Sequence, residues 1–211
     1  EANEEILAEA GNMLCMDSDI TVESSIRTKG GGGILKGIKR TLTGESLFMN
    51  TFTASSRGGS IYFAPALVGD MVIYEMDGTK ELIVQHDSYI ASAGTIEIDA
   101  TWRGIKASLF SGEGLIWIRL TGTGPVILNS FGGIYEKDVD NDYIVDTGHI
   151  VAFENSLDFN VEKAGKSWFS AIAGGEMLVC RFSGKGKLYC QTHNGNNFGM
   201  ALHPYLKPRR K

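Results

Sequence analysis

The chain has few prolines, few cysteines and no long apolar run, and each shortage removes a class of protein. Its longest apolar stretches, such as Gly114 to Ile118 and Met177 to Cys180, fall far short of the roughly 20 residues that a membrane helix needs. The cysteines, Cys15, Cys180 and Cys190, are odd in number and lack Cys-x-x-Cys spacing, which argues against a disulfide scaffold and a zinc knuckle. They read as reduced thiols. Cys180 and Cys190 flank a predicted hairpin, where a disulfide across the pair competes with the plainer reading of two small core residues. Four prolines stand against 27 dispersed glycines in 211 residues, a balance that points to many tight turns and not to collagen-like or low-complexity sequence. Positive charge is also short. Lys plus Arg is 20 against 25 Asp plus Glu, a net charge of −5, so no global attraction to nucleic acid or anionic lipid is expected. Glu1 to Ala10 is acidic and lacks the basic and apolar regions of a signal peptide, which makes the cytoplasm the expected compartment.

Spacings that carry common chemistries are missing as well. His86, His149, His193 and His203 form no His-x-His or His-Glu-x-x-His pattern, so no metal site of the cupin or zincin kind is supported. His149 reads as a strand-start residue bonded to backbone. No Gly-x-Ser-x-Gly elbow is present. The run Gly30 to Gly33, followed by Ile34-Leu35-Lys36, lacks the Gly-Lys-Ser/Thr ending of a phosphate loop, and Lys29 to Gly33 reads as a mobile loop. Asp138, Asp140, Asp142 and Asp146 have calcium-loop spacing, but Tyr143 stands where glycine belongs and His149 where a bidentate Glu belongs. A solvated acidic turn fits better. Lys29, Lys36, Lys39 and Arg40 near Phe48 and Phe52 are a weak nucleic-acid or lipid-headgroup signature, better read as a solvated loop. Trp102, Trp117 and Trp168 read as core or interface residues. No catalytic, metal or cofactor residue is assigned, and binding residues are unknown.

What the chain does have is a repeat. Ile118-Arg119-Leu120-Thr121-Gly122-Thr123-Gly124-Pro125-Val126 matches Cys180-Arg181-Phe182-Ser183-Gly184-Lys185-Gly186-Lys187-Leu188. Gly112-Glu113 and Gly175-Glu176 precede these segments, and Gly44-Glu45 precedes Ser46-Leu47-Phe48-Met49 and the turn Arg57-Gly58-Gly59-Ser60-Ile61. The glutamates are 68 and 63 residues apart. Upstream lie alternating runs, Ile20-Thr21-Val22-Glu23, Ile96-Glu97-Ile98-Asp99 and Leu157-Asp158-Phe159-Asn160-Val161, whose period of two predicts strands with one buried face. Further strands are predicted at Met71 to Met76, Glu81 to Gln85 and Val145 to Phe153. Helix is nearly absent from the pattern, with only turn-like pieces near Ile34 to Thr41 and Ser167 to Ile172. The expected architecture is all-β: one domain over residues 1–206 of three internal units (about 4–79, 80–141 and 142–198), followed by a basic tail at 207–211. Glu45, Glu113 and Glu176 would supply one carboxylate per unit to a shared cation site, but a Gly-Glu pair at a strand start more simply turns the chain and satisfies backbone N–H groups.

These residues resemble a known family. Glu9-Ala10-Gly11-Asn12-Met13, Gly44-Glu45-Ser46-Leu47-Phe48-Met49-Asn50, Phe63-Ala64-Pro65, Gly69-Asp70, Gly112-Glu113-Gly114-Leu115, Asp146-Thr147-Gly148-His149-Ile150-Val151-Ala152-Phe153 and Cys180-Arg181-Phe182 are similar, in order, to the mitochondrial-biogenesis family of the altered-inheritance-of-mitochondria type. The resemblance departs at the start, where family members usually carry a strand segment before the equivalent of Glu4. It implies three jelly-roll-like units in one chain, related in fold to the tryptophan RNA-binding attenuation protein (TRAP). It implies neither RNA binding nor any catalytic residue. The mitochondrial members are similar to organisers of inner-membrane structure. The expectation is a non-catalytic scaffold or assembly module, not an enzyme, that forms a homo-oligomer, a trimer by analogy, because sheet edges left by repeated units need covering. Protein partners fit this role, no nucleic acid is expected, no cofactor is implied, and membrane association is undetermined. The competing reading is a metal-dependent jelly-roll enzyme.

Overall fold

In the computed structural model, which describes residues 1–27, 47–99, 116–163 and 178–206, the alternating runs are strands. The first ten strands are β1 (Glu5–Glu9), β2 (Met13–Met16), β3 (Thr21–Arg27), β4 (Leu47–Thr53), β5 (Ile61–Phe63), β6 (Met71–Asp77), β7 (Leu82–Gln85), β8 (Tyr89–Ala93), β9 (Ile96–Asp99) and β10 (Trp117–Asn129). There follow β11 (Ile134–Val139), β12 (Tyr143–Asp146), β13 (Ile150–Glu154), β14 (Leu157–Lys163), β15 (Leu178–Gly184), β16 (Gly186–Gln191) and a helix α1 (Gly195–Leu202). The chain is all-β, with antiparallel strand pairing and little helix among the described residues. Glu45, Glu113, Glu176, Trp102, Trp168, the Lys29 to Gly33 run, the two turn-like pieces and the 207–211 tail lie outside the described residues.

Two compact units form, unit 1 from Glu1–Leu67 with Met71–Asn129 and unit 2 from Val68–Asp70 with Ser130–Lys211. In unit 1 the long strand β10 bends. Its first half pairs with β7 and β9, its second half with β6 and β8. The bend falls at Gly122 and Gly124, with φ of 116° and 124°. A Cβ on Gly122 would meet the Thr95 carbonyl oxygen at 2.4 Å, so only glycine lets the two backbones approach this closely. In unit 2 the corresponding stretch is divided into β15 and β16 at Gly184, φ 99°. β15 lies between β12 and β14, and β16 between β11 and β13.

One pairing scheme recurs along the chain. Leu120 of β10 stands between Leu82 and Ile98, Phe182 of β15 between Tyr143 and Phe159, and Phe52 of β4 between Ile6 and Val22. The register slip recurs too. It comes between Tyr89 and Ala91 where they oppose Leu128 and Ile127, between Ile150 and Ala152 opposite Cys190 and Tyr189, and between Met13 and Cys15 opposite Phe63 and Tyr62. A bulge costs a ladder position and re-aims the strand.

Both faces of several strands are buried, as apolar residues on both parities predict. β7 and β13 are buried at every position, and Trp117 and Ile118 are both buried. In unit 1, Ala8, Ile20, Phe52, Ile90 and Ala91 form a cluster onto which Ile127 packs. In unit 2, Phe153 meets Phe159 and Phe182 edge-on with ring centroids 5.1 Å apart in each pair, while Phe159 and Phe182 are tilted at 6.3 Å, and the edge-on pairs add directional contact to area burial.

Three local expectations need correction. The predicted strand from Val145 to Phe153 is two strands separated by a 3-10 turn at Thr147–His149. The Asp146 side chain accepts a hydrogen bond from Gly148 N at 2.8 Å, an Asx-type turn that competes with extension. The hairpin expected around Cys180 and Cys190 does not form, because β15 and β16 pair with different strands, and all three cysteines are free thiols. The third is α1, absent from the predicted pattern. Asn194 caps it by accepting from Asn196 N at 2.9 Å and Asn197 N at 3.3 Å, a function for which Asn is suited.

Candidate functional site

The acidic and histidine residues singled out in the sequence are engaged in holding the fold. Asp142 pairs with Arg181 at 3.4 Å, Asp146 caps the Thr147–His149 turn, and Asp138 lies 3.6 Å from Lys187. They do not gather as a calcium loop. His149 sits in the turn before β13, and its Nδ1 lies 2.7 Å from the Gln191 carbonyl oxygen, the backbone bond expected of it. His193 stacks beside Phe131 at 5.2 Å. Among the described residues, no group of three or more His, Cys, Asp or Glu side chains is placed to hold a metal ion.

Arg119 and Arg181 occupy matching places. Arg119 lies opposite Ile83 and Asp99 and pairs with Glu81 at 3.6 Å and Asp99 at 3.1 Å. Arg181 lies opposite Ile144 and Asn160 and pairs with Asp142 at 3.4 Å and Glu162 at 2.9 Å. These arginines tie a central strand to both neighbours, and their repetition is that of a structural element.

A cluster that the sequence did not reveal joins the end of β1 to the turn after β7. His86 Nε2 lies 3.3 Å from Glu9 Oε1 and its Nδ1 3.1 Å from Asp87 Oδ1, while Asn12 Nδ2 donates to Glu9 Oε2 at 3.3 Å. Burial pushes the Glu9 carboxyl up, against the opposing pull of His86 and Asn12, whereas the hydrogen bond from His86 holds Asp87 below the usual carboxylate range. Residues 77 positions apart in sequence meet here, so no local spacing could have announced the contact. The buried thiols of Cys180 and Cys190 are pushed up to about 12 by burial, which suits core packing and not nucleophilic attack.

The feature most suited to recognition is the outward strand of unit 1. β6 pairs with β10 on one side, and its other edge pairs with no strand among the described residues. Met71 and Ile73, two apart and so on one face, are 51% and 61% exposed. β11 occupies the same register in unit 2: Met71 opposes Asn129 as Ile134 opposes Gln191, and Ile73 opposes Ile127 as Glu136 opposes Tyr189. There the face is charged. Lys187 forms ion pairs with Glu136 and Asp138.

A family model described as mitochondrial biogenesis AIM24 matches residues 1–193. The chain belongs to that family. Among AIM24 relatives, an uncharacterized protein of Streptococcus pyogenes serotype M6 is 28% identical over 206 residues, covering 95% of this chain and 82% of the relative. A crystal structure of a Streptococcus pyogenes protein, solved in a structural-genomics programme, is similar with a TM-score of 0.78 at 24% identity, over 98% of this chain and 91% of that one. That likeness concerns the fold. No helix among the described residues is long and apolar enough to cross a membrane.

Proposed function

We propose that this AIM24-family chain is a non-catalytic assembly module, built of three units of one jelly-roll-like plan closed into a single TRAP-like domain, and that it works as a cytoplasmic homo-oligomer, with a trimer as the first expectation. The observation that carries the reading is the apolar edge of β6. An edge strand that pairs on one side alone among the described residues and carries outward Met71 and Ile73 is a template for pairing that soluble proteins otherwise blunt with charge. The equivalent strand β11 is blunted in that way by Glu136, Asp138 and Lys187. The recurring register, with its recurring slip, supports three units of common plan.

Light scattering at micromolar concentration tests the proposal. The expected mass is a multiple of 22.9 kDa, and Ile73→Glu is expected to lower it while the melting temperature changes little. A strictly monomeric wild-type mass would sink the oligomer. A substrate turned over by the purified chain, with turnover lost on substituting His149, would sink the non-catalytic reading.

A further inference from the structure

We infer that the outer edge of β5 is a binding site for an extended polypeptide strand, donated by a partner protein and added antiparallel to β5. β5 corresponds to two strands whose outer edges are covered. Its register against β2 aligns Ile61, Tyr62 and Phe63 with Val126, Ile127 and Leu128 of β10, and with Leu188, Tyr189 and Cys190 of β16. Beyond β10 lies β6, with Ile73 opposite Ile127, and beyond β16 lies β11, with Glu136 opposite Tyr189. β5 pairs with β2 and with no other strand among the described residues.

Exposure follows that difference. Tyr62 is 60% exposed where Tyr189 is 4% exposed. Ile61 and Phe63 are only partly buried, whereas Val126, Leu128, Leu188 and Cys190 are buried. The backbone is also set to receive a strand. Ser60 O accepts from Asp17 N at 3.0 Å and Ala64 N donates to Asn12 O at 2.8 Å, so residues 60 and 64 face the β2 side. By alternation Ile61 and Phe63 direct their N–H and C=O groups away from β2, to the outer edge. On the inner face, Ile61 and Phe63 pack against the cluster of Ala8, Ile20, Phe52, Ile90 and Ala91, and Phe63 meets Phe52 edge-on at 5.7 Å. Inward side chains of an added strand therefore extend an existing core, while Tyr62 offers an aromatic cross-strand contact on the outside.

The two covered edges give the chemistry of the occupant. In β6 Val72, Tyr74 and Met76 turn inward, and in β11 Lys137 and Val139 do. The occupant is thus a linear segment with bulky, mainly apolar side chains at alternate positions, recognised by strand addition. A second copy of this chain fits less well. With Met71 and Ile73 kept outward, the outer edge of β6 can meet β5 only in parallel, because β10 already lies along its other edge, and both covered edges are paired antiparallel. The same holds for β11. A free segment carries no such constraint, and the site does not depend on self-association through β6.

A fluorescein-labelled peptide with the β6 sequence Met-Val-Ile-Tyr-Glu-Met-Asp tests this against the whole chain. Saturable one-to-one binding by fluorescence polarisation is expected, together with slowed hydrogen exchange at the Ile61 and Phe63 amides. N-methylation of alternate peptide residues should abolish binding in one alternation and spare it in the other, since only one set of N–H groups faces β5. Tyr62→Ala, at an exposed position, should weaken binding about fivefold with an unchanged melting temperature. No binding, binding insensitive to both N-methyl alternations, or an affinity unmoved by Tyr62→Ala overturns the inference. Slowed exchange at Met71 to Asp77 in place of Ile61 and Phe63 also overturns it and assigns the peptide to the β6 edge. If the Ile61 and Phe63 amides of the free chain are protected at micromolar concentration and lose that protection on dilution to monomer, the occupant is a second copy and the inference falls.

Discussion

β6 and β11 are the same strand by register and opposite strands by chemistry. Each lies along the second half of its central strand, yet Ile73 faces outward where Glu136 does and Glu75 where Asp138 does. In unit 2 the outward carboxylates share Lys187 of the adjoining β16. In unit 1 the residue across from Glu75 is Pro125, which offers neither a charge nor an N–H. The difference teaches that backbone plan and surface role are separately encoded. A strand's partners follow from its buried face, and its availability follows from the few side chains on the other.

The largest effect is expected where the two units agree. Leu120 and Phe182 are fully buried at corresponding positions, so Phe182→Ala should cost about 3–5 kcal/mol and Leu120→Ala about 2–5 kcal/mol, read from urea unfolding. If either change were nearly neutral, the two central strands would not be equivalent cores. The bends should separate next. Gly122→Ala places a Cβ against a carbonyl oxygen at 2.4 Å, while at Gly184 the nearest oxygen is 3.2 Å away, and both have positive φ. Strain of about 1–3 kcal/mol from the backbone alone applies to both, so Gly122→Ala should melt lower than Gly184→Ala.

The edges themselves can be exchanged. Glu136→Ile combined with Lys187→Ala should give β11 the apolar character of β6, with a larger mass by light scattering and little change in the unfolding midpoint. An unchanged mass would mean that outward charge is not what distinguishes the two edges. The smallest effect concerns the Lys187 ion pairs. Glu136 raises the Lys187 ammonium above its ordinary value. A raised lysine contributes stability that is complete below the unfolded value, near 10.4, and is lost as pH rises through the folded value. Because both side chains are more than a third exposed, the contribution should be below about 1 kcal/mol. The stability difference between wild type and Lys187→Ala should therefore shrink only in strongly alkaline solution, and a difference vanishing near pH 7 would contradict the pairing.

Much of the strand content was legible in short windows. Ile96-Glu97-Ile98-Asp99 alternates, and its burial alternates with it. Apolar residues on both parities at Trp117 and Ile118 announced a strand covered on two sides, and His149 sits on a backbone carbonyl as expected of it. Less was legible where two local signals competed. Val145 to Phe153 carries a strand pattern, but Asp146 and Gly148 form a turn within it. Cys180 and Cys190 flank glycines that suit a hairpin turn equally well as a bend between strands of different sheets. The Glu9, His86 and Asp87 contact had no local signal at all, and α1 had only its Asn194 cap.

The amino-acid sequence by itself determined the strand character, the recurring Arg-apolar-Ser/Thr-Gly-x-Gly segments and the absence of common metal and nucleophile spacings, because each depends on residues within a few positions of one another. Membership of the AIM24 family rested on the same ordered motifs. Only the tertiary structure decided which strands pair, that β15 and β16 part company at Gly184, and that Met71 and Ile73 face outward while Leu120 and Phe182 are sealed. Alternation states that a strand has two faces, but which face meets water is set by partners dozens of residues away. That choice depends on the summed burial of both faces and not on any local preference.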